Sequence, residues 1–292
     1  MPGFPWLTAW AADTPPPVLE FAYVPAASWG SAGGIRGHLE FRDSGLAEAT
    51  DGLIGCQYVR YVGSGDTEQE DHGWHVHDLD WQFSILLAGS MLRATDEFGT
   101  LAVSAGDATC YPGFCWHREW AFSPDWQMLA LRVPAVTKTT TGRETPLPNR
   151  AATLDPARAP TYSLDRPEAY EPGVGDEEGF EVRDLGAAGP SEGRIAMRIV
   201  RSTHDGAGNG PHRHSGSTWF AVLHGTARLE VDGEPAMELA RLDAVSLGPG
   251  LRHSLTAASR DFRILEMTIP AGYETTRLDR QEAVLAARKE SS

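Results

Sequence analysis

The feature that most constrains the fold is an internal repeat. The stretch LEFRDSGLAEATDGLIGCQYVR (39–60) aligns without a gap with FEVRDLGAAGPSEGRIAMRIVR (180–201), and DWQMLALRVPA (125–135) aligns with DFRILEMTIPA (261–271). The offset between the copies is about 136–141 residues. A unit of that length can bury its own core, so the sequence predicts a duplicated domain, not a solenoid of short repeats.

Both copies are predicted to be all-β. Each contains short β-branched and aromatic runs, such as QFSILLAG and WFAVLHG, separated by Gly, Pro or Asp turns. The Asp-Gly pair in EVDGE, which has strand-like flanks, predicts a hairpin turn. The last segment, TRLDRQEAVLAARKE, is rich in helix formers with helical apolar spacing, and it predicts a short C-terminal helix.

These patterns divide the chain into five predicted parts. They are an N-terminal extension (1–35), a first β domain (36–135), a Pro-, Thr- and acid-rich linker (136–179), a second β domain (180–273) and a C-terminal helix or tail (274–292).

Charge and cysteine content restrict the partners and the compartment. The net charge of -15 argues against nucleic acid and against anionic membrane surfaces as partners. The chain has no apolar run long enough to span a bilayer, and its first residues lack the pattern of a signal peptide. Three cysteines without CxxC spacing suggest a reducing compartment, so a cytoplasmic location is expected.

Six histidines recur at matching places in the two copies. HVHDLDWQFSILLAG (75–89) aligns with HRHSGSTWFAVLHG (212–225), allowing one residue of slack. Residues two apart on a strand share a face, so the two histidines of each HxH pair point the same way. A third histidine follows about forty residues later in each copy. The predicted sets are His75, His77 and His117, and His212, His214 and His253.

In these six histidines and their spacing, the sequence resembles the cupin superfamily. The motifs of that family are G-x5-H-x-H-x3-4-E-x6-G and G-x5-P-x-G-x2-H-x3-N. The resemblance covers about two-thirds of the chain and implies two tandem cupin barrels, that is jelly rolls or double-stranded β-helices, in a bicupin. In the first copy Gly89, Gly106 and Pro112 also fit, whereas Phe114 replaces a glycine and Ala121 the asparagine. In the second copy Gly225 and Gly250 fit, whereas Gly248 takes the proline place and Ala257 the asparagine place.

Neither copy has the glutamate of the first motif. By spacing, Gln82 takes its place in the first copy and Thr218 in the second. The first site is therefore three-His or three-His plus Gln82, and the second is three-His. Three neutral imidazoles suit Fe, Ni, Cu, Mn or Zn, and fewer charged ligands leave the metal electropositive, which favours anionic substrates. The alternative is that the two substitutions mark sites with weak metal binding or none.

Several residues near the first site are candidates for contact with a substrate. Tyr111, Phe114 and Trp116 belong to an aromatic-rich stretch, which barrel packing would also explain. Arg60 could bind a substrate carboxylate or, equally, form a structural salt bridge like its counterpart Arg201. Glu119 shares a face with His117 and is the candidate acid–base residue; the alternative is a solvent-facing strand end.

The resemblance implies three functional hypotheses. The first is an Fe(II)-dependent dioxygenase that cleaves a small aromatic or diketone-like substrate, because the second copy resembles gentisate-type ring-cleaving dioxygenases; Glu119 and Gln82 would assist catalysis. The second is redox-neutral isomerase, cyclase or lyase chemistry at Zn, Mn or Ni. The third is a non-catalytic ligand-binding bicupin. The expected partner is a small molecule, and pairing through outer sheet edges leaves room for a homodimer.

Overall fold

The structure is a computed structural model, and nearly all of its described regular structure is β-strand. It describes residue 10 and the ranges 14–31, 37–63, 71–96, 99–113, 115–143, 161–173 and 179–278. Phe114 and most of the predicted C-terminal helix, 279–292, lie outside the described residues.

The first thirteen strands precede the second copy. They are β1 (Ala22–Val24), β2 (Gly30–Ser31), β3 (Leu39–Asp43), β4 (Gly55–Tyr61), β5 (His75–His77), β6 (Trp81–Ala88), β7 (Ser90–Thr95), β8 (Gly99–Ser104), β9 (Ala108–Pro112), β10 (His117–Trp120), β11 (Gln127–Val133), β12 (Thr139–Thr141) and β13 (Thr161–Ser163). A single helical turn, α1 (Leu46–Ala49), lies between β3 and β4.

The remaining strands follow a 3-10 turn at Pro167–Ala169. They are β14 (Glu171–Pro172), β15 (Phe180–Asp184), β16 (Ala196–Ser202), β17 (His212–His214), β18 (Ser217–His224), β19 (Ala227–Val231), β20 (Met237–Leu239), β21 (Ala244–Leu247), β22 (His253–Thr256), β23 (Arg263–Ile269) and β24 (Thr275–Arg277).

The described chain forms two compact units, each with one seven-stranded and one five-stranded sheet. In the first unit the sheet orders are β13-β9-β6-β11-β4-β3-β2 and β12-β5-β10-β7-β8. In the second they are β1-β21-β18-β23-β16-β15-β14 and β20-β19-β22-β17-β24. The all-β prediction is therefore confirmed, and the repeat in sequence is a repeat in topology.

The interior of each unit is apolar at one end. In the first unit, Leu86 of β6, Met91 of β7 and Met128 of β11 belong to one buried cluster drawn from both sheets. In the second, Phe220 of β18, Leu229 of β19 and Leu255 of β22 do the same. Because strand side chains alternate between faces, these residues fix which positions of each strand point inward.

Each seven-stranded sheet ends in a short strand that lies outside the aligned repeat. The strand β13 pairs with β9 in the first unit, and β1 pairs with β21 in the second. A repeated aspartate fixes the chain beside each strand. Asp107 accepts a hydrogen bond from the backbone N–H of Asp165, and Asp243 accepts them from the N–H of Ala26 and the hydroxyl of Tyr23. The predicted extension and linker thus contribute strands, while the bounds of the five predicted parts stay a prediction.

None of the helices in the described part of the chain is long and apolar enough to cross a membrane.

Candidate metal centres and cavity

The three histidines of the second copy meet inside the second unit. His212 and His214 lie on β17, and His253 begins β22 directly opposite His212 in the strand register. The ring centroids of His212 and His253 are 4.3 Å apart, and that of His214 lies 4.9 Å and 5.1 Å from them. All three are buried, and their candidate ligand atoms lie within 4.8 Å of one another. The two histidines of the HxH pair and the third histidine therefore converge, as the spacing predicted.

Each imidazole of this triad is oriented through Nδ1. The partners are Gly210 O for His212 at 2.8 Å, Thr275 Oγ1 for His214 at 3.0 Å, and Leu251 O for His253 at 3.1 Å. A carbonyl oxygen only accepts hydrogen bonds, so Nδ1 of His212 and of His253 carries the proton. In the neutral ring the lone pair is then on Nε2, which is the arrangement that metal-binding histidines need.

The first unit repeats this geometry almost without change. His75 lies opposite His117 in the register, with ring centroids 4.2 Å apart, and the ring of His77 is 5.2 Å from each. The Nδ1 partners are Gly73 O for His75, Thr139 Oγ1 for His77 and Cys115 O for His117. The two triads are therefore equivalent in both ring placement and orienting hydrogen bonds.

Burial favours the neutral form of three of these imidazoles. It lowers the pKa of His214 to about 3, with the neighbouring His253 and His212 adding to the effect. The pKa of His253 falls to about 4, again by burial first and then by His212. Burial and His75 likewise hold the pKa of His117 well below its usual range. Neutral imidazoles are the ligand form, so protons compete little with a metal at neutral pH.

The place of the missing glutamate holds an unpartnered oxygen in both units. Gln82 is buried, and its Nε2 donates to the hydroxyl of Tyr111 at 3.1 Å, whereas its Oε1 has no hydrogen-bond partner among the described residues. Thr218 is buried, and its Oγ1 likewise has no partner within the described chain. An unpaired buried oxygen is costly, so a bound group that would pair it is expected at each place.

A cavity of about 390 Å³ opens on the triad of the second unit. This volume lies at the lower end of the range of roughly 300–1,000 Å³ for small-molecule pockets. Its apolar lining comes from both sheets: Phe180, Val200, Phe220, Leu247, Leu255 and Ile264. Its polar lining includes the three histidines together with Arg198, Asn209, Thr218, Glu266, Thr275 and Arg277. A small organic molecule with a few oxygen atoms suits such a lining.

One side of this cavity is a polar wall, formed by Arg198, Glu266 and Thr218, with Thr268 next to them opposite Thr218 on β23. In the register Arg198 of β16 lies opposite Glu266 of β23, and Thr218 of β18 lies opposite Thr268 of β23. Arg198 Nε donates to Glu266 Oε1 at 2.6 Å. Burial alone would raise the pKa of Glu266, but Arg198 outweighs burial and lowers it. The polar wall therefore carries an ion pair beside two hydroxyl groups.

The interior of the first unit also contains buried polar side chains. Arg93, fully buried on β7, contacts Glu119 through Nε at 3.1 Å and through Nη2 at 2.5 Å. Its Nη1 donates to the hydroxyls of Ser84 and Thr109. In the second copy the places of Arg93 and Glu119 are taken by Leu229 and Leu255. The two barrels thus share their triads but differ in what fills the space beside them.

Glu119 is not at a solvent-facing strand end, because it is only 5% exposed. His72 Nδ1 lies 3.2 Å from its Oε2, and His72 in turn contacts His38 through Nε2 at 3.2 Å. Burial alone would raise the pKa of Glu119, but Arg93 and the hydrogen bond to His72 hold it well below its usual range. The ion pair with Arg93 therefore favours the ionised form of this carboxylate, and the acid–base role of Glu119 stays a prediction.

The other predicted contact residues separate into two groups. Tyr111 is buried with its ring 5.2 Å from that of His117, and Trp116 is buried directly before β10. Arg60 lies on the face of β4 opposite Val59 and Tyr61, which belong to the core cluster, and it is ion-paired with Glu40 at 2.5 Å. The structure therefore brings Tyr111 to the first triad but turns Arg60 away from it.

Several site residues were missed by reasoning from sequence alone. The threonines that orient His77 and His214 follow the Pro-Ala pairs of the two copies by four residues, a repeat that the alignment contained. Arg93 lies two residues from Met91 and two from Thr95, and both of these are buried. The three side chains therefore share the inward face of β7. Nothing in the sequence indicated that Arg198 and Glu266 would pair, because their strands become neighbours only in the sheet.

The residues present fit a divalent metal in both units. Each triad offers three buried, oriented imidazoles, and Gln82 adds an amide oxygen that lacks a partner among the described residues. Nitrogen-rich sets with one weak oxygen or none accept Fe, Mn, Ni, Cu or Zn, so the donor set does not select one of these metals.

Comparisons with known proteins agree with this geometry. Residues 200–268 match the Cupin domain family. No curated protein matches the chain. Among solved structures, the 11S globulin procruciferin of Brassica napus is similar with a TM-score of 0.63 at 11% identity, covering 89% of this chain and 87% of that one.

Two enzymes are similar to the same extent. The salicylate 1,2-dioxygenase of Pseudoaminobacter salicylatoxidans, in complex with gentisate, has a TM-score of 0.60 at 14% identity, covering 90% of this chain and 87% of that one. The oxalate decarboxylase of Bacillus subtilis, which has Mn(II) centres, has a TM-score of 0.60 at 16% identity, with 89% and 80% covered. At these identities the likeness shows the fold.

The fold and the two triads together define the class. The chain has the fold of a bicupin, that is two tandem jelly-roll barrels, as the sequence motifs implied. Each barrel carries one three-histidine group suited to a divalent metal.

Proposed function

We propose that this bicupin is a metal-dependent enzyme whose working centre is the triad of the second barrel, and that with Fe(II) it is a dioxygenase for a small aromatic or diketone-like substrate. The observation that carries the proposal is the cavity of about 390 Å³ on His212, His214 and His253. A bound Fe(II) would supply Lewis acidity and redox chemistry with O₂ there.

The residues of the barrel have separate tasks in this proposal. The three histidines hold the metal through nitrogen and add no negative charge, so the site favours anionic oxygen atoms of a substrate. Phe220, Leu247 and Leu255 exclude water from the apolar body of the substrate. The substrate oxygens would face the polar wall. The first triad, with Gln82, would hold a second metal ion.

Metal content and oxygen uptake test the proposal together. We expect protein purified without oxygen to contain iron, and we expect His75→Ala and His212→Ala each to lose the ion of one barrel. Oxygen uptake with gentisate, salicylate or acetylacetone should survive His75→Ala and disappear in His212→Ala. Uptake that is lost only in His75→Ala would move the working centre to the first barrel.

A second candidate is redox-neutral chemistry at Zn, Mn, Ni or Cu. The observation that favours it is Glu266, a buried carboxylate that lines the same cavity as the triad. Turnover of a hydroxy or keto acid without oxygen, lost in His212→Ala, would support this candidate over the dioxygenase. Protein with no metal in either barrel would contradict both and leave a ligand-binding bicupin.

A further inference from the structure

We propose that the polar wall of the second barrel is a carboxylate-recognition subsite, with Arg198 as the residue that selects small organic acids over neutral molecules of the same shape. The inference rests on the proposed function in one respect: it places the acid in the cavity that opens on the metal triad. It names the substrate class, which the metal ligands alone leave open between acids and neutral diketones.

The charges in the cavity lining favour an anion. Among the described residues that line it there are two arginines, Arg198 and Arg277, and one carboxylate, Glu266. The cavity is therefore basic before a divalent metal adds its own charge, although the whole chain carries a net charge of -15. A local field of this sign in a water-poor pocket concentrates anionic ligands.

Arg198 is held in place for such a role. Its side chain is 27% exposed and lines the cavity, while Glu266 anchors it through Nε from the neighbouring strand. The planar guanidinium matches the geometry of a carboxylate, and an anchored arginine loses less freedom on binding than a mobile one. Glu266 is thus a positioning residue, since it acts on the substrate through Arg198.

The hydroxyl pair supplies an independent observation. Thr218 and Thr268 are 2% and 3% exposed, and neither Oγ1 has a hydrogen-bond partner within the described chain. They lie opposite each other on β18 and β23, two residues along β23 from the pair of Glu266 and Arg198, and Thr218 lines the cavity. Two buried donors without acceptors beside a cationic group are the complement of a ligand rich in oxygen atoms.

The same strand offers a matched control. Arg201 of β16 also pairs with a glutamate of the adjacent strand, Glu181 at 2.6 Å, and its side chain is 26% exposed. It lies three residues from Arg198 and so on the opposite face, where it contacts the ring of Tyr170. Replacement of Arg201 therefore removes a comparable ion pair without touching the cavity.

The test is calorimetric binding of salicylate and of its neutral amide, salicylamide, to the full chain loaded with redox-inert Zn(II). We expect salicylate to bind at least about tenfold tighter than the amide. Arg198→Gln should remove that preference, whereas Arg201→Gln should keep it. Thr218→Val should weaken salicylate about threefold to tenfold and leave salicylamide less affected.

The double variant Arg198→Gln/Glu266→Gln guards against misfolding, because it leaves no uncompensated buried charge. Retention of the salicylate preference in this folded double variant would overturn the inference. Equal affinity for acid and amide in the unmodified protein, or no saturable binding of salicylate and of lactate, would also overturn it.

The outcome is separable from that of the proposed function because binding to the Zn(II) form involves no turnover. Selective acid binding without oxygen uptake by the iron form would support the subsite and count against the dioxygenase. Oxygen uptake with acetylacetone by the iron form, without a preference for the acid in binding, would support the dioxygenase and count against the subsite.

Discussion

His214 and Thr275 are joined through Nδ1 and Oγ1 at 3.0 Å, and His77 and Thr139 repeat this contact at the same distance in the other barrel. The threonines lie on β24 and β12, directly opposite the histidines in the strand register. In each barrel, the strand that follows the Pro-Ala pair of the repeat therefore supplies the threonine that contacts one histidine of the triad.

Removal of this contact should weaken metal binding in the second barrel. We expect Thr275→Ala to lower the affinity of that barrel for Zn(II) or Fe(II) about 10–100-fold, because the ring of His214 loses the partner that orients it. Chelator competition measures the change. Thr276→Ala is the control, since Thr276 lies on the opposite face of β24 beside Arg213. Equal affinities in the two variants would show that the threonine does not orient the histidine.

The metal-free protein should lose stability as the pH falls below neutral. The pKa of His214 is lowered to about 3 and that of His253 to about 4, both chiefly by burial, so the folded form resists protonation. In the unfolded chain the same histidines are protonated near pH 6.5. Protonation therefore stabilises the unfolded chain relative to the folded protein as the pH falls below 6.5, and this continues until the pH passes the folded pKa values.

The free energy of unfolding should therefore fall by roughly 2–4 kcal/mol between pH 7 and pH 5 from these two groups. Urea titrations of chelator-treated protein at each pH measure it. A variant with His214→Asn and His253→Leu should have a shallower profile. An identical slope in that variant would assign the acid sensitivity to other groups.

The Arg93–Glu119 pair should behave as a buried ion pair. We expect Arg93→Leu alone to lower the free energy of unfolding by about 3–5 kcal/mol, because Glu119 is left as a buried charge without its main partner. The double variant Arg93→Leu/Glu119→Leu, which copies Leu229 and Leu255 of the second barrel, should recover part of that loss. Urea unfolding of the unmodified protein and the two variants measures this, and a double variant less stable than Arg93→Leu alone would contradict it.

The backbone at Ala257 offers a stabilising substitution. Ala257 has φ of 52° and Ala121 has φ of 55°, and both occupy the asparagine place of the second motif. Asparagine adopts this left-handed region at lower cost than alanine, so Ala257→Asn should raise the free energy of unfolding by about 0.5–1 kcal/mol. Ala257→Val should lower it, because a β-branched residue is disfavoured there. Thermal unfolding compares the three proteins; a valine variant as stable as the asparagine one would refute the argument.

The sequence by itself determined the duplication, the strand class and both triads. Period-two parity placed the two histidines of each HxH pair on one face, and the aligned third histidine completed each set, because these relationships are local or repeat-encoded. The same reasoning assigned Gln82 and Thr218 to the glutamate place, where each barrel has a buried oxygen without a hydrogen-bond partner among the described residues.

Only the tertiary structure decided what surrounds the triads. Whether Arg60 or Arg198 faces a barrel interior depends on which face of its strand the sheet covers, and both faces of these strands carry polar side chains in the sequence. The arginine partners of Glu119 and Glu266, Arg93 and Arg198, come from strands far away in the chain. Long-range pairing of this kind depends on strand register, and register is set by the packing of the whole barrel, not by any short stretch of sequence.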